Sequence, residues 1–298
     1  MANSELRRPN QNLSGILAML MAAALFSLMD AGLKFLSPHY PALQVTALRS
    51  LGSLPFVCAY VIWRGAIPSL WRVRWWLHGL RGVLGIVMLA TFVFALRHLA
   101  LTEAYAIFFV APLLITGLSV PFLGERVDTS RWVAIAVGLA GVIVVLRPTG
   151  AGLFTLGGSA VIVSAVCYSF SAITIRMVGR TDSVESIMFW LILLLSIGST
   201  ALAWSHWIAL RPGDFWVIAG IGVTGFCGQL GVTYAFHNGE ASVIAPFEYS
   251  AVAWGLGLDR LVWNTLPDRY TLLGAAIIIG SGLYLVQREQ VHAEAEHP

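Results

Sequence analysis

Charged side chains are scarce in this sequence: Asp, Glu, Lys and Arg make up only 11% of its 298 residues, whereas 58% of the residues are hydrophobic. Soluble globular domains have about 25% charged residues. Because so few charges cannot cover a surface that faces water, the composition excludes a soluble protein and indicates a polytopic membrane protein. The net charge of +3 is small, and the sequence has no basic run with interleaved aromatic residues, which argues against a nucleic-acid partner.

Cysteine and lysine are also rare. Cys58, Cys167 and Cys227 lie in apolar runs without metal-ligand spacing, so we interpret them as core residues and expect no metal or other cofactor. Lys34 is the only lysine. No ATP-binding motif occurs, and no nucleophile–base–acid spacing is visible. An intramembrane enzyme is therefore the less favoured alternative to a transport function.

Ten apolar stretches approach the roughly 20 residues that a transmembrane helix needs. Short links rich in Gly, Pro and Asn separate them. The stretches are 13–35, 42–63, 76–96, 103–122, 131–146, 157–176, 186–207, 214–236, 241–262 and 270–286. We therefore predict an all-α membrane protein with ten transmembrane helices. With the N-terminus inside, the inner segments hold ten arginines and the outer links hold four, which predicts that both termini are cytoplasmic.

The two halves of the chain resemble each other. "FSLMDAGLK" (26–34) matches "YSFSAITIR" (168–176), and "LTEAYAI" (101–107) matches "NGEASVI" (238–244). Each half has five predicted spans, and because five is odd, the second half enters the membrane from the opposite side. We predict two inverted five-helix repeats, at 1–149 and 150–298. Many secondary transporters share this arrangement and bind their substrate between the repeats.

Two longer segments, "EAYAIFFVAPLLITGLSVPFLGERVDTSRWVAIAVGLAGVIVVLRP" (103–148) and "EASVIAPFEYSAVAWGLGLDRLVW" (240–263), resemble the EamA-type branch of the drug/metabolite transporter superfamily. This resemblance implies inverted repeats, a central cavity and transport of a small organic metabolite across the bacterial inner membrane. The first half keeps Gly124-Glu125, but the second half has Asn264-Thr265 where the family commonly has Gly-Glu. That departure puts any mechanism with a symmetric pair of carboxylates in doubt.

Within the family, "APFEYS" and "FSLMDAGLK" are most similar to bacterial members that include riboflavin importers and S-adenosylmethionine carriers. Riboflavin uptake by alternating access is the preferred expectation, because aromatic side chains suit a flat ring. An S-adenosylmethionine carrier and an amino-acid or drug exporter are the alternatives. The expected partners are a small-molecule substrate and the lipid bilayer. Proton coupling and a homodimer stay open.

Glu248 is the leading candidate site residue, because insertion scales assign a cost of about 2.5–3.5 kcal/mol to a charge at the centre of a membrane helix. Its neighbours at helical spacing include the small residues Ala241, Ala245 and Ala251, which predicts that it faces protein or a cavity. Pro246 removes one helix hydrogen bond beside it. The alternative is an ion pair with an arginine that locks two helices.

Asp30, Lys34 and Arg49 are the other charged candidates for substrate binding or coupling. Asp30 and Lys34 are four residues apart and could contact each other on one helix face. The alternative is a self-satisfied pair in which Lys34 extends towards the membrane surface. Arg49 could pair with Asp30 or Glu248. Either acid could carry a coupled proton.

Aromatic residues on the fourth and ninth spans are candidate ligand walls, and they are Tyr105, Phe109, Phe247, Tyr249 and Trp254. Packing or an interfacial belt is the alternative for each of them.

"GIGVTG" (220–225) matches a dinucleotide fingerprint but lies inside an apolar span, so we predict close helix packing there, as at Gly138 and Gly141.

Overall fold

The computed structural model describes residues 9–99, 101–125, 127–146, 155–251, 254, 269–270, 273–274, 276–281 and 283–284. Within these residues all regular structure is helical. The α-helices are α1 (Pro9–Leu36), α2 (Ala42–Trp63), α3 (Trp75–His98), α4 (Leu101–Phe108), α5 (Ala111–Leu123), α6 (Thr129–Leu146), α7 (Leu156–Val178), α8 (Val184–Ala203), α9 (Phe215–Asn238) and α10 (Ala241–Ile244). Short 3-10 helices occupy Ile67–Trp71, Trp204–His206, Pro212–Asp214 and Ala245–Tyr249. The described residues of 269–284 are also helical.

Six helices in the described part of the chain are long and apolar enough to cross a membrane. They are Asn12–Leu36, Ala42–Trp63, Trp75–His98, Leu156–Val178, Val184–His206 and Pro212–Asn238. Their 22 to 27 residues exceed the length that a hydrocarbon core of about 30 Å requires. The prediction of an all-α membrane protein is confirmed, whereas the count of ten spans and the inverted repeats stay predictions.

The predicted continuous span at 103–122 is wrong. Helix α4 ends at Phe108, and α5 begins at Ala111 with Pro112 in its first turn. Proline has no N–H and its ring clashes with the preceding turn, so it fits best at a helix start, as Pro112 does. In a helix interior it removes a hydrogen bond, a loss that α2 accommodates at Pro55 and α5 at Pro121. Like Pro112, Pro246 lies at a helix start in the second half, where α10 gives way to the 3-10 helix Ala245–Tyr249.

The helices of the two halves pack on one another in an exchanged order. Helix α1 packs along α9, α3 packs along α7, and α2 packs along α8. The first helix of one half therefore meets the third helix of the other, and the second helices meet each other. A two-fold axis between the halves would produce this pairing.

Glycines allow the helices to approach closely. A Cβ atom on Gly222 of α9 would lie 2.6 Å from the carbonyl carbon and oxygen of Gly52 in α2, so these backbones are in direct contact. Gly228 similarly faces the ring of Phe26, and Gly231 faces the backbone of Ala18. The prediction of close helix packing is confirmed for Gly222, Gly228 and Gly231, whereas Gly220 has no described neighbour within 4 Å of a Cβ position and does not serve packing.

Glu125 joins helix ends from both halves. Gly124 has a φ of 72° and ends α5 in the left-handed conformation that glycine adopts readily. The chain then turns so that Glu125 accepts hydrogen bonds from the backbone N–H groups of Ala241 and Ser242, both at 3.0 Å, at the start of α10. Arg176, at the end of α7, lies 3.3 Å from the same carboxylate.

A second ion pair lies beside the first. Arg131 of α6 is 2.8 Å from Glu240 and donates a hydrogen bond to the Ser242 hydroxyl at 3.0 Å. We call Glu125, Arg131, Arg176, Glu240 and Ser242 the Glu125 network, and we call this end of the bundle the Glu125 end. Each of these hydrogen bonds and ion pairs joins a residue of the first half to a residue of the second half. Asn264-Thr265, the departure in the second half, lies outside the described residues.

Exposed tryptophans mark the two ends of the bundle. Trp63, Trp71 and Trp76 lie around the α2–α3 connection at the Glu125 end, and Trp204 and Trp216 lie around the α8–α9 connection at the opposite end. Tryptophan is enriched at both membrane–water interfaces. Their placement is therefore that of interfacial belts on a membrane protein.

Asp182 ties the α7–α8 loop to the start of α3. Its carboxylate accepts hydrogen bonds from Thr181 at 2.6 Å and from the backbone N–H of Arg74 at 3.2 Å, and it lies 2.9 Å from His78 Nε2. Burial opposes ionisation of Asp182, but the hydrogen bonds from Thr181, His78 and Arg74 outweigh it and hold its pKa below the usual value. The ionised carboxylate therefore stabilises this connection.

Gly222→Ala should destabilise the protein by about 1–3 kcal/mol, because its methyl group would push α9 away from the backbone of Gly52. Gly220→Ala is the matched control on the same helix, since a Cβ there meets no atom within 4 Å. Thermal unfolding in detergent measures the effect. Equal melting temperatures for the two variants would contradict the close contact.

Asp182→Asn should lower stability at pH 7 by about 1–3 kcal/mol, because it leaves buried donors without an ionised acceptor. The pKa of Asp182 is lower in the folded protein than in the unfolded chain, where it is about 3.9. The stabilisation is therefore fully present above about pH 3.9 and is lost as the pH falls through the pKa of the folded protein. The melting temperatures of wild type and variant should therefore converge below about pH 4. A difference that stays constant from pH 7 to pH 3 would contradict this role.

Candidate functional site

A cavity of about 150 Å³ lies between the two halves of the protein. Helices α1 to α4 of the first half and α7 to α9 of the second contribute side chains to its wall, together with Glu248 and Ala251. Most of the wall is apolar, and three charged side chains interrupt it: Asp30, Arg49 and Glu248.

Two tyrosine–carboxylate pairs lie in this wall. Tyr105 of α4 donates a hydrogen bond to Asp30 Oδ2 of α1 at 2.8 Å. Tyr168 of α7 donates one to Glu248 Oε1 at 2.9 Å. Each pair lies within one half of the chain, and the order of acid and tyrosine along the sequence is reversed between the halves.

Arg49 is the third charged group, and it is only 3% exposed. Its Nε donates to the thioether of Met29 at 3.0 Å, and its guanidinium lies 5.9 Å from the ring centroid of Phe26. Among the described residues no carboxylate lies within 4.0 Å of it. The cation is thus held by weak acceptors on α1 and has no direct counterion.

The break at Pro246 determines which side chains around it reach the cavity. In the 3-10 helix Ala245–Tyr249, Phe247 packs into the core cluster of α1, α7 and α9, and Tyr249 packs against Phe109 with ring centroids 5.7 Å apart. Glu248 lies between these two and faces the cavity. The local geometry therefore places one polar side chain in the wall and buries both neighbouring rings.

Aromatic rings cover one side of the cavity. Phe108 is 5.5 Å from Phe92 and 5.5 Å from Tyr168, and Tyr105 is 5.9 Å from Phe109, as measured between ring centroids. All five line the cavity. The tyrosines of the two acid pairs therefore belong to the same continuous aromatic wall.

The cavity is closed towards the Glu125 end. Met19, Ala172, Ile175 and Val232 line the cavity and also belong to a buried hydrophobic cluster. That cluster continues to Ile244 of α10, one turn from the Glu125 network. Packed side chains and then ion pairs separate the cavity from this end of the bundle.

The structure brings together some of the residues that the sequence singles out. Asp30, Arg49, Tyr105, Phe109 and Glu248 line the cavity. The other four candidates, Lys34, Phe247, Tyr249 and Trp254, are not part of its wall.

The sequence left two structural alternatives for the acids, an Asp30–Lys34 pair and a Glu248–arginine pair, and the observed contacts show neither. No ion pair within 4.0 Å joins Asp30 to Lys34, and Glu248 is bonded to Tyr168 rather than to an arginine. Among the described residues, neither Asp30 nor Glu248 therefore forms a salt bridge that would explain it by a structural role alone.

Tyr168 and Gln229 line the cavity but were given no role from the sequence. Tyr168 corresponds to Phe26 in the match between the halves, which was a signal that its position is equivalent to one on α1. Gln229 is a polar side chain inside the apolar, glycine-rich helix α9. By the cost of burying polar groups in a membrane, it could have been selected as Glu248 was.

Several curated bacterial transporters are similar to this chain over most of its length. The pseudopaline exporter CntI of Pseudomonas aeruginosa (strain UCBPP-PA14) is 26% identical, covering 89% of this chain and 93% of the relative. The S-adenosylmethionine uptake transporter of Rickettsia conorii is 27% identical, covering 96% of each chain. The riboflavin transporter of Vibrio cholerae is 25% identical, covering 95% of this chain and 96% of the relative.

A crystal structure with 20% sequence identity superimposes with a TM-score of 0.78, covering 98% of this chain and all of the other. That likeness concerns the fold alone. The EamA-like transporter family model matches residues 13–147 and again residues 155–287. Because these two matches take in most of the sequence, the chain belongs to the EamA-like transporter family and is a membrane transporter, not an enzyme.

Proposed function

We propose that this protein is a secondary transporter that moves a small organic metabolite across the bacterial inner membrane by alternating access. The observation that carries the proposal is the cavity between the halves, with Asp30, Arg49 and Glu248 in its wall. Charged residues inside a membrane protein are costly, and they mark substrate and ion pathways. Each of these three has bonding capacity left for a ligand.

Two inverted repeats are the architecture that we propose for this mechanism. The exchanged packing of α1 on α9 and α3 on α7, with α2 on α8 between them, supports a pseudo-two-fold relation. Broken helices at Pro112 and Pro246 near the cavity also fit, since transporters with inverted repeats often build their sites from discontinuous helices. Rocking of one half against the other would open the Glu125 end.

Riboflavin and charged metabolites make different demands on the cavity. The aromatic wall favours a flat ring, which supports riboflavin. However, an uncharged ligand would provide no opposite charge for Asp30, Arg49 and Glu248, which are bonded only to tyrosine hydroxyls and a thioether. Lys34, whose positive charge would repel a cationic ligand, lies outside the cavity wall. The charges therefore favour S-adenosylmethionine or an amino acid over riboflavin.

Proton coupling is part of the proposal, with Glu248 or Asp30 as the proton carrier. Each acid accepts a hydrogen bond from a tyrosine hydroxyl, and no described cation lies within 4.0 Å of either. A carboxyl group without a fixed counterion can change its protonation state with less loss of pairing energy than one in a salt bridge.

Glu248→Gln should reduce transport by about tenfold or more, because it removes a charge that can bind ligand or proton. The purified protein in liposomes, supplied with labelled riboflavin, S-adenosylmethionine and amino acids, measures uptake against protein-free liposomes. Lys34→Gln, which neutralises a charge one helical turn from Asp30 but outside the cavity, is the control. Normal transport by Glu248→Gln at normal abundance would remove Glu248 from the mechanism.

We also propose that the Glu125 end faces the cytoplasm, because arginines are concentrated there. Arg64, Arg72, Arg74, Arg131, Arg176 and Arg180 lie at that end, and Arg97 and Arg211 lie at the opposite end. Positively charged residues are enriched in cytoplasmic segments.

A reporter that is active only in the cytoplasm should therefore be active when fused to the C-terminus. The same reporter inserted in the 148–152 link should be inactive, since this link is predicted to lie on the other side. Activities in the reverse order would invert the topology.

A further inference from the structure

We propose that the cavity selects a cationic amino acid-type metabolite, with its amino-carboxylate end held between Arg49 and Asp30 and a second positive group held by Glu248. The inference rests on the proposed transport function and names the substrate class of the same cavity. Three features carry it: an arginine without a direct counterion, two acids with unequal surroundings, and an aromatic corner beside one of the acids.

Arg49 supplies the site for a carboxylate. Its Nε is directed to the Met29 thioether, and neither terminal nitrogen of the guanidinium has a hydrogen-bond partner among the described residues. A guanidinium presents its donors in a planar fork that matches a carboxylate. A buried guanidinium without such a partner is costly, so an anionic group of the ligand is the missing partner.

Asp30 lies on the same side of the cavity as Arg49. Arg49 contacts Phe26 and Met29, which lie one turn before and immediately before Asp30 on α1, although no ion pair within 4.0 Å joins Arg49 to Asp30. Asp30 Oδ2 accepts from Tyr105, while Oδ1 has no partner among the described residues. A cation and an anion side by side match the carboxylate and ammonium groups of an amino acid.

Glu248 is separate from this pair of charges. Tyr168 donates a hydrogen bond to its Oε1, and no described arginine lies within 4.0 Å of its carboxylate. Glu248 Oε2 has no hydrogen-bond partner in the described part of the chain. Arg49 and Asp30 have opposite charges, whereas no described cation lies within 4.0 Å of Glu248 in its part of the wall. A second positive group of the ligand would be the partner of this carboxyl group.

The surroundings of Glu248 also suit a cation. Tyr168, which is bonded to Glu248, has its ring 5.5 Å from the Phe108 ring, and both rings line the cavity. Aromatic faces attract cations, and quaternary and sulfonium-like groups are held this way when they are partly desolvated. An acid beside two rings therefore selects a positive group with apolar substituents more strongly than an acid alone.

The rest of the wall accommodates an irregular apolar body. Met19, Met29 and Met88 contribute flexible thioether side chains to the lining. Methionine adapts to ligands of different shape because it is unbranched and polarisable. The charged groups, rather than the apolar wall, therefore define the class of substrate.

Two matched ligand pairs test the second positive group. S-adenosylmethionine and S-adenosylhomocysteine differ by a methyl group and the sulfonium charge, and lysine and norleucine differ by the terminal ammonium. Binding is measured as the thermal shift of the purified wild-type protein in detergent over a range of ligand concentrations. In at least one pair the cationic member should bind about tenfold more tightly or better, as expected for a charge-assisted contact.

Single-residue variants test which side chains produce the preference for the cationic ligand. Glu248→Gln should bring the affinities of the two members of that pair within about threefold of each other, and Glu248→Asp should retain part of the difference. Arg49→Gln should abolish the preference for the amino acid over its amide, which lacks the carboxylate. Lys34→Gln should bind like wild type. The melting temperature of each ligand-free variant shows whether it is folded, and Tyr168→Phe gives a second perturbation of the Glu248 site that keeps its charge.

Equal affinity within both pairs, no binding of either cationic member, or an unchanged preference in folded Glu248→Gln would each overturn the proposal. Liposome uptake of riboflavin by the same preparation, without these preferences, would leave the transport function standing and remove only the substrate class. Absence of uptake of any solute, combined with the predicted binding pattern, would instead contradict the transport function and leave the ligand class in place.

Discussion

The structure depends on one constraint: inside a membrane, polar and charged groups must find their partners within the protein. Asp30 and Glu248 satisfy this with tyrosine hydroxyls, and Arg49 does so with a thioether and an aromatic ring. These are partial solutions, since each charge keeps bonding capacity for another group. A protein that only needed to be stable would not require three such residues around one cavity.

The contacts fall into two groups according to whether they connect the halves. The tyrosine–carboxylate pairs connect helices of the same half, so each would move as a unit with its own helices. The ion pairs of Glu125 with Arg176 and of Arg131 with Glu240 connect different halves. Rocking of the halves would therefore preserve the groups that bind ligand and separate those that close one end.

Much of this could be predicted from the sequence because charge in an apolar run is visible without coordinates. Asp30, Arg49 and Glu248 attracted attention by the cost of burying them, and the long helices followed from the lengths of the apolar runs. The role of Glu125 as a cap on a distant helix could not be predicted, because it depends on how α5 and α10 meet in space.

Other features depended on local geometry that residue spacing does not reveal. Spacing around Glu248 was interpreted on an α-helical period, but Pro246 starts a 3-10 helix, and Phe247 and Tyr249 point into the protein instead of lining the cavity. The interruption before Pro112 was missed because the apolar run continues through it. Tyr168 carries no charge and does not lie on the fourth or ninth span, so neither the cost of burying a charge nor the aromatic pattern of those spans identified it.

The Glu125 end shows why such a closure can be both firm and reversible. Its carboxylate is bonded to the first backbone N–H groups of α10, which would otherwise lack partners at the helix start. When such an end separates, water replaces each lost partner, so the net free-energy change per hydrogen bond is about 0.5–1.5 kcal/mol, far below its strength in a dry interior. At this end the Arg131 and Glu240 side chains are 15% and 37% exposed, whereas those of Arg176 and Glu125 are only 10% and 7% exposed. Entry of water at the more exposed pair would therefore begin the separation, and the buried pair would be the last contact to open.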